Sequence, residues 1–449
     1  MKGGIQLIAV MLAFVLVFNI PSVLSQNQQY YNQINEPPYS VLSGEVGKRW
    51  DINDVTIVYL NGTFYNMGFG LGTLLKQEIS SNKRAFENYY AEQGIYEKEL
   101  IDLWNLQKPY IDQEVIDYIQ GCADALELPF EDIACIWVAE GAAYIHKCSS
   151  FAAWGPATKD GKLIQMRSLE FPLDIQDPLT GHFVQDSPLL VICEPIDHVA
   201  FMYPTLAGYV VEDGINAQGI AVSNMWSPNN DQTVSGAPMG IRLFEALYSS
   251  HTAEEAIDII ANDRTFGYNF IVSDAKVPVG YAVETTAHKT YVGTWDDPVE
   301  SLYPFWSIDS VVRRTNCFLA PDLASTQRDF YNPRALQYWL SLFTENPQTF
   351  PVNWNHYSAL SKGIEANYGG LDVNLSMAMV QSVYVGGYNP MWKLILSTIK
   401  DGWSTWWQWV ACPETGEFLI TFAKGKTSAY YNQAFSLNFL ETLEKKQPC

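Results

Sequence analysis

The sequence predicts an α+β fold, with a mainly helical segment at residues 26–147 followed by a strand-rich body at 148–449. Three observations carry this. Apolar residues recur at helical spacing up to about Ala143, as in Glu114-Val115-Ile116-Asp117-Tyr118-Ile119 and Phe130-Glu131-Asp132-Ile133. After Cys148 the pattern changes to short β-branched and aromatic runs, including Leu189-Leu190-Val191-Ile192, Tyr209-Val210-Val211, Phe270-Ile271-Val272 and Tyr281-Ala282-Val283. Turn residues such as Glu212-Asp213-Gly214 separate them. The junction between the two patterns falls on a cysteine. Helices gathered before strands, rather than alternating with them, indicate an α+β chain.

In chain order, residues 1–25 read as a signal peptide. Lys2 supplies the positive start, an apolar stretch runs from Ile5 to Ile20, and Val23 and Ser25 fit the small-residue cleavage pattern before Gln26. The expected location is therefore secreted or lumenal, extracellular or lysosome-like. An uncleaved anchor is the rival reading; no obligate membrane span is expected, since no second apolar run of the needed length follows. Residues 26–50 look like an irregular lead-in. Thr56-Ile57-Val58-Tyr59-Leu60 reads as a strand, Asn61-Gly62 as a turn, and a Gly-rich stretch over 67–72 leads into a helix. Gly68-x-Gly70-x-Gly72 lacks the spacing of a dinucleotide-binding loop. In the body, Thr252 with Glu255 marks a helix start, and Ala335–Phe343 is a second helix candidate.

Bulk composition removes several classes. Of 449 residues, 48% are apolar and 17% charged, which suits a large core and excludes a disordered chain. The net charge of −22 argues against nucleic acid as a partner, because phosphate binding needs clustered Lys and Arg. The six histidines are scattered without ligand spacing and no CxxC pair exists, so neither a metal nor another cofactor is expected. Seven cysteines are an odd count for an exported chain. With one as a working thiol, the other six could form up to three disulfides. Asn61-Gly62-Thr63 and Asn374-Leu375-Ser376 are glycosylation sequons.

The chemistry concentrates at the junction. A strand begins at Cys148, Lys159-Asp160-Gly161 turns it, and Leu163–Glu170 returns beside it. This hairpin is expected to bring Arg167 and Glu170 back to Cys148. A guanidinium beside a thiol favours the thiolate, and a carboxylate can orient the guanidinium. A buried free cysteine beside an unrelated ion pair is the bland alternative.

Cys148-Ser149-Ser150-Phe151-Ala152, then Asp160-Gly161, then Arg167-Ser168-Leu169-Glu170-Phe171-Pro172 resembles the nucleophile hairpin of cysteine N-terminal-nucleophile hydrolases. That group holds the autoproteolytic isopenicillin N acyltransferase-like family, the bile-salt and penicillin V hydrolases, and acid ceramidase. Glu170 stands where the group usually has Asp. Val58–Ile79 is similar to the opening of the acyltransferase-like pro-segment. Glu212–Asn224 resembles a stretch ending in an oxyanion-hole asparagine, a role that falls on Asn224. Arg314-Thr315-Asn316 resembles one whose asparagine contacts the cysteine's amino group, a role that falls on Asn316. Arg334, with Arg328 as its rival, stands where the group has a later arginine on a helix. The resemblance spans residues 55–340. It implies a four-layer αββα sandwich, and a pro-segment released when the Lys147–Cys148 bond is cut.

The expected activity is cleavage of a linear amide, or transfer of its acyl group, through an acyl-thioester on Cys148. The α-amine freed by self-cleavage, with a reference pKa of about 7.7–8.0, is the base. Small-molecule and lipid amides both remain open as substrates, and the pro-segment is a possible retained second chain. A lipid amidase of the acid-ceramidase type, an inactive binding protein of the same fold, and a paired-carboxylate glycosidase are the rival readings. Trp403, Trp406, Trp407 and Trp409 form a cluster that fits either ligand contact or aromatic core packing.

Overall fold

Strand-forming residues begin earlier than the lead-in reading allows. In the computed structural model, which describes residues 42–44, 47–139, 147–328, 331–336, 352–389 and 405–449, β1 (Leu42–Gly44), β2 (Gly47–Ile52) and β3 (Val55–Gly62) form an antiparallel ribbon. Part of the segment read as irregular is therefore strand. The signal peptide, Trp403 and the candidate helix beyond Leu336 lie outside the described residues.

Helices α1 (Phe64–Leu74), α2 (Lys76–Glu92), α3 (Glu97–Gln107), α4 (Gln113–Leu126) and α5 (Phe130–Val138) follow. Thr63 caps α1, its hydroxyl accepting from the Asn66 backbone N–H at 3.2 Å. The Gly-rich stretch lies inside α1 and serves packing. A Cβ on Gly68 would sit 1.9 Å from the Tyr118 carbonyl oxygen, and one on Gly121 would sit 2.1 Å from that of Tyr65. Helices α1 and α4 thus meet backbone to backbone, at a separation only glycine permits.

The body comprises β4 (Lys147–Gly155), β5 (Gly161–Glu170), β6 (Pro188–Pro195), β7 (Phe201–Leu206), β8 (Asp213–Asn216), β9 (Ile220–Trp226), α6 (Met239–Ser249), α7 (Ala253–Ala261), β10 (Tyr268–Asp274), β11 (Val279–Thr285), β12 (Thr290–Gly293), β13 (Val311–Arg314) and α8 (Pro321–Ala324). It ends with α9 (Val352–Ala366), α10 (Val373–Tyr384), β14 (Thr405–Cys412), β15 (Glu417–Phe422), β16 (Phe435–Asn438) and α11 (Phe439–Lys445). Among the described residues the strands form two sheets. One has ten strands in the order β1-β2-β3-β6-β7-β8-β9-β10-β11-β12, the other six in the order β13-β4-β5-β14-β15-β16.

The sheets pack face to face through β4 against β9, β10 and β11. Helices α6 and α7 cover the outside of the larger sheet, and α9 and α10 the outside of the smaller. The fold is therefore the four-layer αββα sandwich. The strands that precede Cys148 belong to the body's own sheet, since β3 runs parallel to β6 from Thr56↔Leu189 to Gly62↔Pro195.

The disulfide expectation is corrected. All seven cysteines are unbridged and six of them are buried. Cys122, Cys135, Cys193 and Cys412 sit singly on α4, α5, β6 and β14 as small apolar residues. A chain with a core this large does not need cross-links to stay folded.

Candidate active site

The nucleophile hairpin forms in register, with Cys148↔Leu169, Ser150↔Arg167 and Lys147↔Glu170 paired across β4 and β5. Directly paired residues share a face and neighbours along a strand alternate. Cys148, Ser150, Gln165, Arg167 and Leu169 therefore face one way. That way is inward: Ser150 Oγ lies 2.7 Å from Ser223 Oγ on β9, and Gln165 Nε2 donates to the Ile271 carbonyl on β10 at 3.2 Å. Cys148 and Arg167 are both buried between the sheets.

Two carboxylates meet Arg167 from the larger sheet. Its Nε lies 3.5 Å from Asp213 Oδ2, and its Nη2 lies 4.0 Å from Glu212 Oε2. Asp213 is held in turn by two indoles, accepting from Trp409 Nε1 at 2.7 Å and Trp407 Nε1 at 3.1 Å. Trp407 and Trp409 pair with Leu169 and Arg167 across β14 and β5, which puts them on the same inner face. Trp406, at the register shift between β14 and β5, packs on Phe86, Phe171 and Tyr209. Among the described members, the tryptophan cluster is thus core, with two indole N–H groups turned to a buried acid.

Glu170 is corrected on geometry. Residues three apart on a strand face opposite sides, so its side chain leaves the inner face that holds Arg167. It lies 3.5 Å from His356 Nδ1 and hydrogen-bonds with Tyr384, beneath α9 and α10. Asp213 and Glu212 occupy the place beside Arg167 that the sequence reading gave to Glu170. Both lie in a stretch noticed only for its turn and for its final asparagine. Strand parity counted from the Asp160-Gly161 turn was the signal that separates Arg167 from Glu170.

Asn316 lies beside Cys148, its Oδ1 accepting from the Cys148 backbone N–H at 2.6 Å while its Nδ2 donates to the Trp226 carbonyl at 2.6 Å. This bond fixes a further direction. The C=O and N–H of one trans peptide group point to opposite edges, and the Cys148 N–H points to Asn316, away from β5. The Lys147 carbonyl therefore points toward β5, where Glu170 is its register partner. Asn224 is placed differently from expectation: its Nδ2 donates to the Glu212 carbonyl at 2.6 Å and to Glu212 Oε2 at 2.8 Å, so its amide hydrogens are turned to Glu212. Arg334 sits in a turn, not a helix, where its Nη2 donates to the Leu319 carbonyl at 2.7 Å and its guanidinium covers Phe305. Its rival Arg328 is exposed.

Burial pushes the Cys148 thiol up; the Arg167 guanidinium and the Glu170 backbone N–H pull it back toward the thiolate. Burial also lifts Asp213 to about 7, against the opposing pull of Arg167, Trp409 and Trp407. Glu212 is raised by burial too, with Arg167, Asn224 and Tyr209 opposing. One cation thus faces two carboxyls and a thiol in a buried site, so the proton occupancies of these three groups are coupled. Among the described residues, no group of three or more His, Cys, Asp or Glu could hold a metal, and no helix is long and apolar enough to cross a membrane.

No protein-family model matches the chain. Protein dcd1A of Dictyostelium discoideum is 25% identical over 324 residues, covering 63% of this chain and 71% of that protein. Protein dcd1B of the same organism is 25% identical over 272 residues, covering 52% of this chain and about half (51%) of its own length. Among solved structures, the conjugated bile acid hydrolase of Clostridium perfringens is similar at TM-score 0.39 and 13% identity, covering 66% of this chain and 93% of that one. Penicillin V acylase from Agrobacterium tumefaciens is similar at TM-score 0.37 and 15% identity, covering 65% and 91%.

Proposed function

We propose that the chain is an exported, self-cleaving amidohydrolase or acyltransferase that opens linear carbon–nitrogen amides through a thioester on Cys148. One observation carries this reading: Cys148, second residue of a strand between the sheets, has its thiol beside Arg167 and its nitrogen held by Asn316 at 2.6 Å. In the first step Cys148 Sγ attacks the Lys147 carbonyl. The C–N bond breaks, the thiol proton passes to the departing amine, and water then splits the thioester to leave a Lys147 carboxylate. The freed amine takes the thiol proton in later turnovers, when a substrate amide forms the acyl-thioester and water or a second amine accepts the acyl group.

The substrate is a small-molecule or lipid amide. After the cut the pro-segment stays as a second chain, since it supplies three strands to the larger sheet. A second reading, a binding protein of the same fold, is favoured by the commitment of Asn224 to Glu212. N-terminal sequencing of the mature protein beside Cys148→Ala decides between them. A fragment beginning Cys-Ser-Ser-Phe in the native protein and an intact variant are expected; a single chain in both removes the self-cleaving reading.

A further inference from the structure

The segment carrying Asn316 lies between the end of β13 at Arg314 and the start of α8 at Pro321, and its last carbonyl, that of Ala320, accepts from the Ala324 N–H of α8 at 2.8 Å. It is buried throughout from Thr315 to Ala320. Buried peptide groups must find partners, and here side chains meet them one at a time. Gln327 Oε1 accepts from the Phe318 N–H at 2.9 Å. Glu284 accepts from the Leu319 and Ala320 N–H groups at 2.8 and 3.0 Å and pairs with Arg314 Nε at 2.8 Å. These groups tie down the two ends of the segment.

Its centre is tied by Asn269 and by Gln327, whose Nε2 donates to the Asn316 carbonyl at 3.4 Å. Asn269 stands on β10, paired with Met225 of β9, and is fully buried. Its Nδ2 donates to the Thr315 carbonyl at 2.7 Å and to the Cys317 carbonyl at 2.8 Å. These are the carbonyls of the residues on either side of Asn316. A single amide nitrogen, with two hydrogens at a fixed angle, thus holds the peptide plane before residue 316 and the one after residue 317. With both ends of that short stretch held, the direction in which the Asn316 side chain leaves the backbone is limited. That side chain reaches the Cys148 nitrogen.

We propose that Asn269 is a positioning residue for the chemistry at Cys148: it fixes the Thr315 and Cys317 carbonyls and so holds the Asn316 amide against the Cys148 nitrogen. This rests on the self-cleaving reading above, in which that nitrogen is first the leaving group and afterwards the base. Nothing in the sequence singles Asn269 out, because it lies in an ordinary strand run and its partners are 46 and 48 residues away.

The test uses the full chain. Asn269→Asp keeps the shape and removes both donors, and Asn269→Ser is a second variant should the first fail to fold. Each is made alone and with Asn316→Ala. Two quantities are read: the rate at which fragments appear, and the hydrogen exchange of the residue-148 amide in an uncleavable Cys148→Ala background. Each Asn269 variant is expected to slow cleavage at least tenfold on its own and to slow it no further when Asn316 is already alanine. Exchange at residue 148 is expected to rise at least tenfold while amides on β5 stay unchanged. Equal slowing in both backgrounds marks a general packing role and overturns the proposal, as does unchanged exchange at residue 148. If the native chain is never cut, the self-cleaving reading fails by itself, and the exchange measurement still decides the role of Asn269.

Discussion

The two faces of the nucleophile hairpin differ in kind. The inner face sets Arg167, Asp213, Glu212 and the Cys148 thiol together between the sheets, with both carboxyls raised by burial. The outer face carries neutral groups that satisfy one another. Ser149 Oγ meets Tyr384 Oη at 2.9 Å and Gln408 Nε2 donates to Ser168 Oγ at 3.0 Å. Only its end is ionisable, where Glu170 meets His356. The rest of that face is apolar, with Phe151, Ala153 and Met166 packed on Leu360, Ile364 and Val380. A period-two strand thus divides one short sequence into a reactive side and a fixed side. The reactive side is the one whose charges are not neatly balanced.

The largest effect expected to test this division is at Arg167. Arg167→Met leaves two buried carboxyls without their cation, and breaking a buried ion pair from one side costs about 3–5 kcal/mol. The loss is expected to be larger at pH 8 than at pH 5, because the orphaned carboxyls escape the penalty by protonation. Thiol alkylation of Cys148 at pH 7 is expected to slow by roughly tenfold or more, since each unit of thiol pKa is about 1.4 kcal/mol. Denaturant melts at the two pH values and an alkylation time course read both effects. Unchanged alkylation would remove Arg167 from the site.

A smaller effect is expected at Glu170, and it sharpens the contrast. Glu170→Gln keeps the backbone N–H that lies opposite the Lys147 carbonyl and an oxygen for Tyr384, losing only the charge that faces His356. Cleavage is expected to change by less than about tenfold, against a stability loss of about 1–3 kcal/mol, as for a hydrogen bond to a charged group. Fragment appearance and a melt of the same sample measure the pair. If Glu170→Gln stops cleavage as fully as Cys148→Ala, the two faces are not separate.

The division also shows where sequence reasoning reaches. The helical-then-stranded order, the hairpin and the meeting of Cys148, Arg167 and Asn316 were legible because each rests on local periodicity, a turn or a short motif. Glu170 was placed wrongly because proximity along the chain was used where strand parity decides. Asp213, Trp407, Trp409 and Asn269 escaped because their roles depend on how two sheets meet, and that pairing brings together residues 194 and 196 apart in the case of Asp213 with its two indoles. Strand β3 was legible as Thr56–Leu60, but its parallel partner β6, more than a hundred residues downstream, was not.

The smallest effect, and the finest probe of the inner face, is at Trp407. Trp407→Phe keeps an aromatic ring in the core and deletes one N–H donor to Asp213, a net change of about 1 kcal/mol. Asp213 ionises at about 7 in the folded chain, well above an ordinary carboxyl. A carboxyl raised in this way favours the folded state below its unfolded pKa, and that advantage is lost as pH rises through the folded value. The indole donors stabilise the ionised form and hold the folded value down. Removing one must raise it, so the decline of stability with pH is expected to shift to higher pH in Trp407→Phe. The shift should be larger in Trp409→Phe, whose donor is closer, at 2.7 Å against 3.1 Å. Melting temperatures between pH 5 and pH 9 for the native chain and both variants give the order. A shift to lower pH, or equal curves for all three, would mean that the indoles only fill space and do not set the ionisation of Asp213.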